Sequence, residues 1–237
     1  LRQVKIAESE KAVHITYFFN GKRQEPFSGE ERVIVPSPHH VSTHDQYPQM
    51  SVEQVAQAAI DRLRDDRYDL IVVNFANVDV VGHSENAEAI RQAVETVDTQ
   101  IGRVVEAART ARVTTIITAD HGTVEKWLYP DGTIDTGHTD SPVPCILVAP
   151  DLVGVTLRDG GALTDVAPTI LQLLGLPQPE AMTGASLIVG DVPRRHRRVL
   201  LLIADGWGQR DELWGNLIAE ALSLIHISEP TRLGMIS

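Results

Sequence analysis

The stretch VTTIITADHG, residues 113–122, is a β-branched apolar run that ends abruptly on a carboxylate and an imidazole. A run of this length without alternation suits a strand buried on both faces, which is the habit of a parallel sheet covered by helices. Working outward, residues 85–108 carry Ile90, Val94, Val97, Ile101, Val104 and Val105 on one stripe at helical spacing. Before that helix stands DLIVVNFAN, residues 69–77, a second buried strand. A further helix is predicted over 51–66, where Ser51 and Gln54 suggest a capping box and Val52, Val55, Ala59, Ile60 and Leu63 line one face. After the opening stretch the order continues through the strand PCILVAP (144–150), the helix TDVAPTILQLLG (164–175) closed by Gly175, and the strand RVLLLIADGWG (198–208). Alternation of this kind predicts an α/β fold with a mainly parallel sheet, helices on both faces, and ligands beyond the carboxyl ends of the strands.

Composition excludes several function classes. The 237 residues carry a net charge of −11, with 43% apolar and 22% charged residues. That is ordinary for a globular chain, and it lacks the basic patch that neutralising phosphates of a nucleic acid requires. The one basic run, RRHRR at 194–198, reads as a solvated linker. Cys145 is the single cysteine and lies in an apolar context, so no disulfide is expected and the thiol reads as a small buried hydrophobe. No stretch approaches the roughly 18 apolar residues of a membrane span, and no signal peptide or glycosylation sequon is present, so no membrane partner and a cytoplasmic location are expected.

The chemistry gathers at the strand ends. Asp79 and His83 stand four apart after one strand, Asp120 and His121 follow the next, and His138 lies in the loop leading to the third. Taken singly, a His in a loop or an Asp after a strand is an ordinary turn or surface residue. Three loops supplying oxygen and nitrogen ligands to one sheet edge are harder to explain by accident, and carboxylate with imidazole is the donor mixture of Zn²⁺ or Mn²⁺. Five such ligands exceed the need of one tetrahedral ion and suggest two, a pattern used in phosphoryl transfer.

The motifs ESEKAVHITYFFNG (8–21), PFSGEERVIVPSP (26–38), YDLIVVNFANVDVVGH (68–83), AVETVDTQIGRVVEA (93–107), TADHG (118–122), GHTDSPVP (137–144) and DVAPTILQLLGLPQPEAMTGASLI (165–188) carry a resemblance. In this order, over roughly 3–188, the chain resembles the carboxyl-terminal half of the cofactor-independent (2,3-bisphosphoglycerate-independent) phosphoglycerate mutases, within the alkaline phosphatase superfamily. The resemblance implies that Asp79, His83 and His138 hold one divalent ion, that Asp120 and His121 belong to a second, that the ions are Mn²⁺, and that Lys11 offsets charge on a migrating phosphate. It implies interconversion of 3- and 2-phosphoglycerate through a phosphoserine, by an enzyme that is monomeric when complete. The family's serine motif, Gly-Asn-Ser-Glu-Val-Gly-His, is absent from the 237 residues, as is the inserted substrate-gripping domain. Thr123 replaces the family's usual Asn, and His39 and His40 stand where a lysine and one fewer residue are usual.

Residues 198–222 resemble the amino-terminal start of the same family, where the aspartate of Asp-Gly-Trp-Gly, here Asp205, joins the second ion. The expected organisation is therefore a phosphatase-like metal-binding domain over 1–188, a linker over 189–197, an amino-terminal-type segment over 198–222, and a non-native tail over 223–237. This order leaves open whether residues 198–205 enter the sheet of the first domain or begin a separate one. Two other readings remain beside the mutase: another phosphomutase or phosphate-ester hydrolase of the superfamily, or a non-catalytic metal-binding remnant. On the mutase reading, the chain by itself is expected to be inactive.

Overall fold

Residues Leu70–Phe75 (LIVVNF) are buried at all six positions, and a strand covered this completely has neighbours on both edges and layers on both faces. A computed structural model shows the arrangement and describes residues 1–149, 151–152, 154–190, 192–193, 197–221 and 233–236. The strands of the main sheet are β1 (Gln3–Glu8), β2 (Glu30–Val35), β3 (Leu70–Phe75), β4 (Thr114–Thr118), β5 (Val143–Val148), β8 (Val199–Ala204) and β9 (Leu233–Ile236). Their order is β2-β1-β3-β8-β4-β5-β9. From β2 to β4 every pairing is parallel, whereas β5 is antiparallel to both β4 and β9. The mainly parallel α/β architecture expected from the alternating pattern is therefore what the chain adopts. A two-stranded ribbon, β6 (Thr156–Leu157) with β7 (Ile188–Val189), stands apart.

Helices α1 (Val52–Arg64) and α3 (Ala87–Thr110) pack on each other and on the sheet; α1 covers β1 and β3, and α3 reaches β4 and β8. Their buried faces follow the stripes read from the sequence: Val52, Val55, Ala59, Ile60 and Leu63 on α1, and Ile90, Val94, Val97, Ile101 and Val104 on α3, with Val105 only partly buried at the margin. The start of α1 differs from expectation. Ser51 makes no capping bond; its hydroxyl donates to Pro36 O (2.8 Å) and its N–H donates to the Glu8 carboxylate (3.1 Å). The buried Glu8 needs donors, and Ser51 is drawn to it rather than to its own helix. Helix α3 begins two residues later than expected, after Asn86, whose side chain accepts from Ala89 N–H (3.2 Å) as an N-cap. Helix α4 (Val166–Leu174) packs on β8 and ends at Gly175 with φ 70°, a left-handed cap that favours glycine.

The basic run also departs from its reading as a solvated linker. Arg194, Arg195 and His196 lie outside the described residues. Arg197 is buried and paired with Asp151 (2.5 Å), and Arg198 donates to the carbonyls of Tyr68 (2.9 Å) and Asp65 (2.6 Å). These contacts lead the chain into β8, which lies between β3 and β4 with parallel register to both: Val199 stands opposite Leu70 on one side and Thr114 on the other. Residue 222 of the amino-terminal-type segment and residues 223–232 and 237 of the expected tail lie outside the described residues, while Leu233–Ile236 forms the edge strand β9. Cys145 is buried in β5, and burial pushes its thiol up to about 12, in keeping with its reading as a hydrophobe.

Candidate metal centre

The site forms where β3, β4 and β8 end. β3 runs through Ala76 into α2 (Asn77–Gly82), a single short helix that puts Asp79 in its first turn and His83 at its end. β4 ends on Asp120 and His121, and β8 on Asp205. Strands in parallel register end together, so residues 126 positions apart, Asp79 and Asp205, become neighbours: Asp79 N–H donates to Asp205 O at 3.1 Å. Gly206 makes this approach feasible. Its φ is 82°, and a Cβ there would stand 2.7 Å from Asp79 N.

Two groups of potential ligand atoms lie within 4.8 Å of one another, Asp79–His83–His138 and Asp79–His121–Asp205. Asp79 is common to both. Its Oδ1 is 3.1 Å from His138 Nε2, 3.3 Å from His83 Nε2 and 3.7 Å from His121 Nε2. Asp120 sits at the rim: its Oδ2 is 3.6 Å from His121 Nε2, and its Oδ1 accepts from Gly206 N–H (3.3 Å), tying the end of β4 to the turn after β8. The Lys11 ammonium lies between the two carboxylate groups, donating to Asp79 Oδ2 (2.6 Å) and Asp205 Oδ1 (2.7 Å). Six of the seven candidates thus meet through direct pairings with Asp79 or Asp205, and Asp120 joins them through His121.

Around one ammonium stand three carboxylates, and burial decides how each responds. Burial works against the charge of Lys11, but Asp205 and Asp79 outweigh it and hold the amine above its ordinary range. For Asp79 burial is the largest single influence and pushes upward, yet Lys11, His83 and His121 together bring the carboxyl below its usual range. Asp205 is fully buried, and there burial, then the Asp120 charge, prevail over Lys11 and Asn74 and push the carboxyl up to about 6. His138 is lowered, first by burial and then by His121, whose ring stacks on it at 3.6 Å between centroids.

The donor set fits divalent cations. His83 Nδ1 is 2.7 Å from Thr136 O, and His121 Nδ1 is 3.1 Å from Gly122 O. A proton on each Nδ1 satisfies those carbonyls and turns the Nε2 lone pair toward Asp79, the orientation expected of metal-bound imidazoles. A lone pair and a carboxylate oxygen at such distances repel unless a proton or a cation lies between them. The donors are oxygen and imidazole with no thiolate, which suits hard to borderline divalent ions.

Two residues that position the ligands had no such role in the sequence reading: Asn74 was not singled out, and Thr123 stood only as a departure from the family's usual Asn. Asn74 donates to Asp205 Oδ2 (2.7 Å); a lone amide inside the apolar run LIVVNF was its signal. Thr123, fully buried, places its hydroxyl 3.4 Å from His121 Nδ1 and 3.5 Å from Asp79 Oδ1. Nothing in the local pattern of HGTVE reveals that bridge, because Asp79 is 44 residues away.

Residues 1–178 match the metalloenzyme superfamily. The chain is 51% identical over 187 residues to the 2,3-bisphosphoglycerate-independent phosphoglycerate mutase of Syntrophotalea carbinolica, covering 79% of this chain and 36% of that protein. With the Moorella thermoacetica protein of the same name it shares 52% over 189 residues, covering 80% and 36%. Among solved structures, Leishmania mexicana phosphoglycerate mutase, crystallised at low cobalt concentration, superposes with a TM-score of 0.71 at 29% identity, covering 81% of this chain and 38% of that one. The chain thus spans little more than a third of the length of these relatives.

Proposed function

The chain belongs to the metalloenzyme superfamily, and from that membership we propose that it forms the metal-binding part of a cofactor-independent phosphoglycerate mutase, holding two divalent ions, Mn²⁺ in the cell, and serving the interconversion of 3- and 2-phosphoglycerate. The observation that carries the proposal is the shared carboxylate of Asp79, which belongs to two groups of potential ligand atoms, with His83 and His138 in one and His121 and Asp205 in the other. Two ions so placed, when bound, would supply charge stabilisation for a phosphoryl group in transit.

The chain's own residues would do the rest. Asp79 joins the two clusters. Asp205, oriented by Asn74, and His121, oriented by Gly122 O, complete the inner one, with Asp120 at its rim. His83 and His138 complete the outer one, where their side chains are about half exposed and a substrate can approach. Lys11, held charged by Asp205 and Asp79, is the chain's own cation that would offset charge on the phosphoryl oxygens. The nucleophilic serine motif of the family does not occur in the 237 residues, so turnover needs a nucleophile from elsewhere.

Calorimetric titration with MnCl₂ tests the metal reading. The wild-type chain is expected to bind Mn²⁺, and the His83→Ala, His138→Ala double variant to lose the outer ion; equal affinity in both would overturn it. In the same preparation, Mn²⁺-dependent conversion of 3-phosphoglycerate that Asp120→Ala abolishes would overturn the need for an external nucleophile.

A further inference from the structure

Glu125 lies outside both ligand groups, yet its carboxylate is fully buried. It forms no ion pair among the described residues, and a buried carboxyl without a cation is costly unless hydrogen bonds compensate. Those bonds come from the two ends of the connection between β4 and β5. Thr123 N–H, two residues after His121, donates to Oε2 at 2.9 Å. The hydroxyl of Thr139, next to His138, donates to Oε1. The turn after β8 approaches the same group: a Cβ added at Gly208, three residues beyond Asp205, would meet the Glu125 carboxylate, as would one at Gly122. Thr139 N–H donates to Gly122 O at 2.9 Å, which ties the two ends of the connection together.

These segments are the ones that carry His121, His138 and Asp205. Strands β4 and β8 fix where the His121 and Asp205 segments begin and β5 fixes where the His138 segment ends, and strand pairing alone does not set how the three segments sit on one another. We propose that Glu125 is a positioning residue that sets His121, His138 and Asp205 relative to one another, so that cation affinity depends on its carboxylate although that carboxylate is not itself a ligand. Apolar side chains of similar volume would fill the same space with less desolvation, but they could not bind Thr123 N–H and Thr139 Oγ1 at once.

The inference rests on the metal reading above, and the test separates the two. The same chain is compared as wild type, Glu125→Gln and Thr139→Val, by thermal melting without metal and by calorimetric titration with MnCl₂. Glu125→Gln is expected to keep a cooperative melt close to that of the wild type and to bind Mn²⁺ about 10–100-fold more weakly, the usual penalty for removing an outer-shell partner. Thr139→Val, which removes one of the two bonds, should lose affinity in the same direction by a smaller factor. A group with only a packing role would lower the melting temperature and leave the affinity of the folded protein intact, and that result overturns the inference. If Glu125→Gln does not fold, unchanged affinity in Thr139→Val overturns it equally. Failure of the wild type itself to bind Mn²⁺ would instead sink the metal reading.

Discussion

Glu8 ends β1 three residues before Lys11 and is 1% exposed. Burial, only partly offset by the donors of Ser51 and Ser37, pushes its carboxyl up from 4.5 to about 7. The sign of the consequence follows from proton counting. Below pH 4.5 the group is protonated whether folded or unfolded; between 4.5 and about 7 the folded chain keeps a proton that the unfolded chain has lost. Its contribution to stability therefore falls as pH rises through that window, by roughly 3 kcal/mol at most, and is level above it. Glu8→Gln, which stays neutral, should gain on the wild type by an amount of that order between pH 4.5 and pH 8. Denaturant melts of both proteins at the two pH values measure it, and a pH-independent difference would refute the assignment. At the same scale, the polar residues Asn74, Thr123 and Glu125 sit where apolar ones would be less costly, and each is used to hold a ligand-bearing loop or carboxylate.

Among the elements, β8 serves the site through pairing on both of its edges. Six residues, VLLLIA, fill the slot between β3 and β4 and pair on both sides, so their backbone groups are satisfied by two ladders and their side chains enter the core on both faces. Parallel pairing then places Asp205 level with the ends of β3 and β4. Asp205→Asn removes one charge from the inner cluster and leaves the strand intact. The expected outcome is that the Mn²⁺ stoichiometry falls from two ions to one, with the ion at Asp79, His83 and His138 retained; unchanged stoichiometry and affinity would show that Asp205 holds no ion. Helix α2 contributes differently. It is only one turn and a half, and its role is to present Asp79 and His83 four residues apart on the side facing the end of β8.

For the molecule as a whole, three carboxylates and one lysine are concentrated at the carboxyl edge of the sheet. A cation that binds the folded chain and not the unfolded one adds RT ln(1 + [L]/Kd), about 2.7 kcal/mol at a hundredfold excess over Kd. Mn²⁺ should therefore raise the melting temperature by several degrees, EDTA should reverse the rise, and Asp79→Asn, which touches both clusters, should abolish it. A melting temperature indifferent to Mn²⁺ and EDTA in the wild type would contradict metal binding at this edge. No helix among the described residues is long and apolar enough to cross a membrane.

The sequence by itself determined the central strands and helices and the side on which the chemistry lies, whereas β1, β2 and α2 were not read from it. Hydrophobic period is a local property: β3 and β4 were legible as unbroken apolar runs, α1 and α3 as stripes, and Asp79, His83, Asp120 and His121 stood visibly at the ends of strands. Only the tertiary structure decided what depends on pairings distant in sequence. The order of residues allowed Val199–Ala204 either to start another domain or to enter the first sheet, because a run of apolar residues does not specify which edges it pairs with; the ladders to β3 and β4 settle that. Ser51 looked like a cap because its neighbours along the chain fit that role, and its true partner, Glu8, is 43 residues away. The same reason kept the roles of Glu125 and Thr123 out of sight: their worth lies in which segments they join, and those segments meet only after the sheet has assembled.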